Sequence, residues 1–407
     1  MKIQEIIKTK SKEYCSRTAE NLARMVRIPS LSAEEEAVVR EIRSQLLEAG
    51  IQDVRIDKLG NLIARVGKGP RVLAVDAHID TVDTGDLSQW ELPPFSGIIR
   101  GGHVHGRGSV DQEGGAAAMV TAAAILNELN YDGEYSIYFT FTVMEEDCDG
   151  MCWRYLIEEE KLVPDLAVIT EPTDLGLYRG HRGRMEMEID VKGLSAHGSA
   201  PERGKNAVYS GARTALEIES LHERLKEDAF LGKGSIAATV FRSASPSLCA
   251  VPDAVFMHVD RRLTWGEDRD SALAEIKDIL GTDSRVSVPV YERPSYKGKA
   301  FRQEKYFPTW KIAEDHPFVR SGTETFRLLF DEAPRIGKWT FSTNAVALCG
   351  VHGIPCIGFG PGNETYAHAP NEKVPVEHLR KASAFYALLP YVLEADMNTE
   401  HLKKQGR

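Results

Sequence analysis

The sequence lacks any long run of apolar residues. No segment of its 407 residues approaches the ~20 consecutive apolar residues that cross a bilayer. The first fifteen residues, MKIQEIIKTKSKEYC, are interrupted by charges and contain no apolar core of a secretory signal peptide. We therefore expect no membrane partner and predict a cytoplasmic location.

Cysteine and positive charge are also scarce. The six cysteines, at positions 15, 148, 152, 249, 349 and 356, are too scattered to form a disulfide framework. Lys and Arg number 50 against 60 Asp and Glu, a net charge of -10. Because binding to a phosphate backbone requires clustered cations, the composition argues against a nucleic-acid partner.

What the chain does have is ordinary globular composition, with 42% apolar and 27% charged residues. This is enough apolar material for a sizeable core. At 407 residues the chain exceeds one ordinary domain, so its length predicts two domains.

Short apolar runs alternate with helical patterns along much of the chain. Continuous apolar runs separated by helices are typical of a sheet buried on both faces, so an α/β fold is predicted. The predicted strands are Arg71–Ala77, Tyr135–Val143, Leu166–Thr170 and Pro355–Phe359, and the predicted helices are Gln112–Leu129 and Val376–Glu394.

The pattern changes between residues 182 and 294. Arg184–Val191 and Ala254–Arg261 alternate apolar and polar residues, and Asn206–Lys226 and Asp268–Leu280 have helical patterns. Alternation indicates a sheet with one exposed face, which predicts an inserted α+β domain. The remaining residues, 1–181 and 295–407, would then form one discontinuous domain.

Acidic residues and histidines fall at the ends of the predicted strands. In open α/β sheets, ligands bind beyond the carboxyl ends of the strands, so we expect these side chains to converge. They are His78 and Asp80 after the first run, Glu145 and Glu146 after the second, Glu171 after the third, His368 after the fourth, and Asp111 before the Ala-rich helix.

These residue types suit a particular chemistry. Two histidines and three carboxylates can hold two divalent ions if one carboxylate bridges them. Mixed imidazole and carboxylate ligands favour zinc, cobalt or manganese over magnesium or calcium. A carboxylate that binds no metal must accept a proton from water, and the Glu145-Glu146 doublet can supply one.

The order of these residues resembles a known family. HIDTV, GRGSVDQEGG, EED, EPT, GLSAHGSAP, FSTNA and AHAPNE match the di-zinc acetylornithine deacetylase, succinyl-diaminopimelate desuccinylase and aminoacylase metallopeptidases. The stretches EEDCDGMCW, HRGRMEM, HGSAPERG, DRRLTWGE and KWTFSTN are most similar to its selenium-metabolism-linked hydrolase branch. No residue in these motifs requires selenium itself.

The resemblance implies a zinc-peptidase-like α/β/α catalytic domain at 1–181 and 295–407. It implies that 182–294 form a ferredoxin-like lid and dimerisation domain. It also assigns roles to the strand-end residues. Asp111 would bridge two metal ions, with His78 and Glu171 on one ion, Glu146 and His368 on the other, Glu145 as general base and Asp80 orienting His78.

His197, in GLSAHGSAP, resembles the family histidine that reaches across a dimer to stabilise the tetrahedral oxyanion. A histidine in a loop can also be purely structural. If the resemblance holds, His197 acts on the neighbouring subunit's site, and the protein is a homodimer through the inserted domain.

Three further residues are candidates for substrate binding. Asn344, in FSTNA, resembles a substrate-contacting position, although Asn is also common in turns. Arg261 is predicted to grip a substrate carboxylate through its guanidinium fork, with a surface salt bridge as the alternative. Arg184, near the presumed hinge, carries the same two interpretations.

The predicted function is hydrolysis of an amide bond in an N-acylated amino acid by a hydroxide bridging two metal ions. A dipeptidase or carboxypeptidase with the same metal site is the first alternative, and a non-catalytic metal- or amino-acid-derivative-binding protein is the second. Cys148 and Cys152 form a CxxxC pair, but without further Cys or His partners it predicts no redox or metal site.

Overall fold

The computed structural model describes the backbone of residues 2–405 and the side chains of residues 2–396. Its α-helices are α1 Ile3–Glu13, α2 Cys15–Val26, α3 Glu36–Glu48, α4 Glu113–Glu128, α5 Met151–Glu158, α6 Ala207–Arg224, α7 Arg269–Ile279, α8 Pro317–Phe330 and α9 Val376–Gln405.

The strands are likewise numbered in chain order. They are β1 Val54–Ile56, β2 Leu62–Val66, β3 Arg71–His78, β4 Ile98–Arg100, β5 His103–His105, β6 Tyr135–Thr142, β7 Leu166–Ile169, β8 Leu177–His181, β9 Gly183–Lys192, β10 Glu227–Asp228, β11 Gly232–Lys233, β12 Ser235–Ala244, β13 Ala254–Leu263, β14 Ser284–Ser287, β15 Val290–Tyr291, β16 Gln303–Glu304, β17 Tyr306–Phe307, β18 Trp310–Lys311, β19 Ile336–Trp339, β20 Cys356–Gly358 and β21 Lys373–Pro375.

A nine-stranded mixed sheet lies at the centre of the larger unit. Its order is β1-β2-β6-β3-β7-β20-β8-β18, with β19 also paired to β8. The middle strands β6, β3, β7 and β20 run parallel to one another. Their residues are almost all buried, because parallel strands are covered on both faces. The predicted α/β class is confirmed.

Helix α4 packs against β3, α2 and α9. Its small residues allow a close approach: a side chain added at Gly115 would meet the Thr170 hydroxyl at 2.2 Å. Every residue from Glu113 to Leu126 is buried. The start of α4 is thereby fixed beside the carboxyl end of β7, where Asp111 precedes it.

A second sheet, the inserted sheet, has the order β12-β13-β9-β14, with β17 also paired to β9. Its chain order β9-α6-β12-β13-α7-β14 is the βαββαβ arrangement of ferredoxin-like folds. One face packs against α6 and α7 in a separate apolar cluster that includes Met187 and Met257. The other face is polar, which explains the alternation seen in the sequence.

The strands and helices predicted from the sequence are confirmed, and most of their ends differ from the prediction by a few residues. Helix α9 is the exception, because it extends to Gln405 and the predicted helix ended at Glu394. The domain boundary at 294/295 stays a prediction. Tyr306–Phe307, beyond that boundary, pairs with β9 of the inserted sheet. Among the residues the structure describes, no helix combines the length and apolar character needed to span a membrane.

Candidate active site

The sheet brings three acidic or histidine-bearing strand ends together. Strand β3 ends at His78, and its neighbours β6 and β7 are followed by Glu145 and Glu171. Because these strands are parallel, their carboxyl ends lie at one edge. We call the group formed by His78, Asp111, Glu145, Glu146, Glu171 and His368 the strand-end cluster.

Asp111 lies between the two histidines of this cluster. Its Oδ1 is 3.0 Å from His78 Nε2, and its Oδ2 is 3.4 Å from His368 Nε2. Glu171 Oε1 is 3.5 Å from the same nitrogen of His78. Glu146 Oε2 is 3.0 Å from the same nitrogen of His368. One carboxylate therefore faces two imidazoles, each of which has a second carboxylate beside it.

Asp80 supports this arrangement in two ways. His78 Nδ1 lies 2.8 Å from the Asp80 main-chain oxygen, which leaves Nε2 directed at Asp111. The Asp80 carboxylate accepts hydrogen bonds from the backbone amides of Glu145 and Glu146, at 3.1 and 3.0 Å. Asp80 thus orients His78 mainly through its carbonyl and fixes the glutamate pair through its side chain.

Glu372 was not singled out from the sequence, although it ends the AHAPNE motif. It is fully buried and bonded to Arg107 at 2.7 Å. Its Oε1 also accepts from the amides of Val110 and Asp111, at 2.7 and 3.0 Å. This carboxylate holds the loop that presents Asp111.

The electrostatics of the cluster reflect an excess of carboxylates. Burial and the nearby Asp149 raise the pKa of Glu145 well above its ordinary range. Burial alone would lower the pKa of His78, but Glu171 and Asp111 raise it instead. Hydrogen bonds to Asp111 and Glu146 raise the pKa of His368 to about 10. The cluster therefore stabilises positive charge placed among its side chains.

The side chains of the cluster fit divalent metal ions. Two overlapping trios of donors, His78–Glu145–Glu171 and His78–Asp111–Glu146, share His78, and the donor atoms of each trio lie within 4.8 Å of one another. Glu171 Oε2 is buried and has no hydrogen-bond partner among the described residues. Buried, unpaired carboxylate oxygens beside imidazole are suited to bind metal.

A cavity of about 310 Å³ opens onto the cluster. Arg184 of β9 and Arg262 of β13 line it from the inserted sheet, and Asp149 and Ser342 line it from the larger unit. Arg184 Nη2 is 3.0 Å from Asp149 Oδ1, and Ser342 Oγ donates to the same carboxylate. Arg184 lies where a substrate-binding residue was expected, Asp149 was missed, and Arg262 was passed over in favour of its neighbour Arg261.

The structure contradicts the prediction for Arg261. Its side chain is only 1% exposed, and its Nη2 is 2.7 Å from Glu267. On β13 it has the same parity as Met257 and Val259, so it points into the inserted unit's core rather than the cavity. The strand alternation in the sequence carried this signal. Arg262, one residue on, reaches the cavity.

The structure also contradicts the prediction for Asn344. Its Nδ2 donates to Asp76 and Thr142, at 2.9 and 3.0 Å, and its Oδ1 accepts from the Gly150 amide at 3.0 Å. With these bonds the buried side chain has no free group for substrate. Ser342, in the same FSTNA motif, lines the cavity instead.

His197 is exposed and is not among the residues lining the cavity of its own chain. Its Nδ1 lies 2.7 Å from Ser199 Oγ. Within its own chain, the imidazole therefore lies outside the cavity.

The two cysteines of the CxxxC pair lie in the protein interior. Cys148 and Cys152 are buried free thiols, and burial raises the pKa of both. Cys152 Sγ lies 3.0 Å from Asn344 Oδ1, so it belongs to the packing beneath the sheet edge.

A family model for the peptidase family M20/M25/M40 matches residues 74–391. The match covers more than half of the chain, so the chain belongs to this family. It is a metal-dependent hydrolase, in agreement with the resemblance found in the sequence.

Two sequence relatives extend this result. The chain is 46% identical over 389 residues to the uncharacterized protein YgeY of Escherichia coli K12, covering 95% of this chain and 96% of YgeY. It is 27% identical over 375 residues to the succinyl-diaminopimelate desuccinylase of Cereibacter sphaeroides, covering 89% and 95% of the two chains.

The fold is shared with YXEP of Bacillus subtilis, described as a dinuclear metal-binding peptidase of the M20 family. The TM-score is 0.70 at 16% identity, and the match covers 94% of this chain and 99% of YXEP. This similarity supports the same mixed α/β architecture.

Proposed function

We propose that the protein hydrolyses the amide bond of a small N-acylated amino acid at a di-metal site. The observation that carries the proposal is Asp111, whose two oxygens face His78 and His368 separately. In this assignment His78, Asp111 and Glu171 bind one ion, and Asp111, Glu146 and His368 bind the other. The mixed donor set favours zinc, with cobalt and manganese as alternatives.

The bound ions would lower the pKa of water and polarise the substrate carbonyl. Glu145 is the proposed general base. Its buried Oε1 has no hydrogen-bond partner among the described residues, and its side chain lines the cavity. This carboxylate takes a proton from the attacking water and returns it to the leaving nitrogen.

Arg262 is the proposed partner of a substrate carboxylate. It lines the cavity and has an exposed fraction of 27%, although Asp260 already binds it at 2.7 Å. A guanidinium can hold both partners because it offers five donors. Arg184 adds a second cation to the same wall, and the 310 Å³ volume suits a small substrate.

We further propose a homodimer through the inserted unit, in which His197 stabilises the oxyanion of the neighbouring subunit's reaction. Strand β12 lies at the edge of the inserted sheet. This unit exposes Leu194, Tyr209, Leu216 and Phe241, and Leu248 is fully exposed. An open strand edge beside exposed apolar side chains favours pairing with a second copy. A cytoplasmic location stays part of this proposal.

A dipeptidase remains the second candidate, favoured by a specific observation. Asp149 and Glu364 also line the cavity, and either carboxylate could receive the free amino group of a dipeptide. An amino acid acylated at its α-nitrogen has no free α-amino group.

The test is hydrolysis of two substrate panels, N-acetyl and N-succinyl amino acids against dipeptides, with zinc or cobalt supplied. We expect turnover on the acylated panel, with preference for a free substrate carboxylate. Arg262→Gln should raise KM for such substrates and have little effect on their carboxamide counterparts. Turnover confined to dipeptides would favour the second candidate, and turnover of neither panel would refute both.

A further inference from the structure

The segment that carries Glu145 and Glu146 is held by its backbone. Strand β6 ends at Thr142, so the following amides have no partner in the sheet. Each of the next four consecutive amides donates instead to a side-chain oxygen. The pairs are Val143 to Asn61 at 3.1 Å, Met144 to Glu35 at 3.0 Å, Glu145 to Asp80 Oδ1 at 3.1 Å and Glu146 to Asp80 Oδ2 at 3.0 Å.

The three acceptors come from separate parts of the larger unit. Glu35 precedes α3, Asn61 precedes β2, and Asp80 follows β3. All three side chains are fully buried. Their convergence on four adjacent amides therefore ties three elements to one short segment.

Each acceptor is itself held in place. Asn61 Nδ2 donates to Asp57 at 2.7 Å, the Ala33 amide donates to Glu35 at 2.9 Å, and Ser32 Oγ donates to Asp80 at 2.6 Å. A buried side chain with several partners has little rotamer freedom. The acceptors can therefore fix the path of the segment.

Met144 shows why the segment needs this support. Its φ is +62°, in the left-handed region that a residue with a side chain rarely adopts. Such a backbone persists only where its surroundings determine it. The amide of Met144 donates its hydrogen bond to the Glu35 carboxylate.

We propose that Glu35 and Asn61 are positioning residues for the pair Glu145 and Glu146. By accepting hydrogen bonds from the amides of Val143 and Met144, these two side chains fix the position of Glu145 beside the substrate. In the same way they fix the position of Glu146 as a metal ligand. For Glu145 the inference rests on the proposed function. For Glu146 it can be tested separately, by measuring metal binding.

The experiment compares Glu35→Ala, Glu35→Gln and Asn61→Ala with the wild type. Glu35→Gln keeps a carbonyl oxygen for the Met144 amide, whereas the alanine variants remove the acceptors. Asp165→Ala is the matched control. The exposed Asp165 carboxylate accepts from the Val72 amide at 2.7 Å, near the opposite end of β3.

Two quantities are measured, kcat and KM at equal metal content, and the affinity for Zn²⁺ by competition with a chelator. We expect the alanine variants to lose about 10- to 100-fold in kcat with little change in KM, because small misplacements of reacting groups cost this much. Their Zn²⁺ affinity should also fall, and Glu35→Gln should stay within a few-fold of the wild type in both.

Two results would overturn the inference. In the first, the alanine variants lose thermal stability but keep the wild-type kcat and Zn²⁺ affinity. In the second, Asp165→Ala loses as much kcat and Zn²⁺ affinity as they do. If the wild type hydrolyses no amide, the proposed function fails by itself. The Zn²⁺ affinities then still decide whether Glu35 and Asn61 position Glu146.

Discussion

Two segments of this chain are expected to take part in the same reaction, and they are built in opposite ways. The segment from Val143 to Glu146 is buried, and side chains from three elements hold its amides. The loop around His197 is exposed, and the contact of its imidazole is with Ser199 two residues away. The first is complete within one chain, and in the proposed dimer the second is completed by the neighbouring subunit.

The largest expected effect lies in the buried segment. Glu145→Gln keeps the shape of the side chain but removes the proton acceptor. We expect kcat to fall by about 10²- to 10⁴-fold, the usual contribution of a general base. Metal content, measured by elemental analysis, should stay at the wild-type level. Wild-type turnover in a metal-loaded Glu145→Gln protein would show that this segment carries no base.

The exposed loop should give the next effect. His197→Ala is expected to lower kcat by about 10²- to 10³-fold, as removal of an oxyanion donor typically does. His352→Ala, an exposed histidine of the larger unit, is the matched control and should retain wild-type kcat.

Mixing the two inactive variants sharpens the comparison. A dimer of one Glu145→Gln and one His197→Ala chain keeps one complete site if His197 acts across the interface. Random exchange should then restore up to about a quarter of wild-type turnover, since half of the dimers are mixed and each has one intact site. If exchange restores no turnover, either Glu145 and His197 act in the site of the same chain, or His197 takes no part in the active site.

A buried histidine outside both segments makes the stability of the fold depend on pH. His181 is fully buried at the end of β8, where its Nε2 accepts from the Thr343 amide at 3.1 Å, and burial lowers its pKa to about 4. Because the unfolded chain takes up this proton near pH 6.5, the buried neutral imidazole of His181 destabilises the folded state as the pH falls below that value. Between pH 7 and pH 5 the contribution of this one group should be a loss of about 2 kcal/mol.

Urea unfolding at these two pH values measures that loss. His181→Gln should become less destabilised than the wild type between these pH values, by about that amount. An equal loss in His181→Gln and the wild type would refute the assignment to His181.

The smallest effect is expected at Ser199, whose hydroxyl lies 2.7 Å from His197 Nδ1. Ser199→Ala should lower kcat only a few-fold, because the amide of Ser199 still contacts the same nitrogen at 3.1 Å. A loss as large as that of His197→Ala would mean that the hydroxyl determines the position of the ring.

The sequence predicted the site residues that directly follow a recognisable strand. His78, Glu145 and Glu171 follow apolar runs, so their meeting could be predicted from parallel strands alone. The choice between the adjacent Arg261 and Arg262 could also have been made from the sequence. Arg261 shares its side of β13 with the apolar Met257 and Val259, which is the side that α6 and α7 cover.

Long-range contacts were the least predictable part of the site. Glu35 and Asn61 lie more than eighty positions from the amides that donate hydrogen bonds to them, and nothing in their local sequence indicates these contacts. Asn344 could not be distinguished from a substrate ligand, because its partners Asp76 and Thr142 lie on β3 and β6, far from it in the sequence.

The most direct test of the account is the metal content and turnover of Asp111→Ala beside the wild type. Asp111 is the residue whose two oxygens face both histidines. We expect two zinc or cobalt ions per wild-type chain, and loss of both bound metal and turnover in the variant. A variant that keeps two ions and wild-type turnover would contradict the di-metal site proposed here.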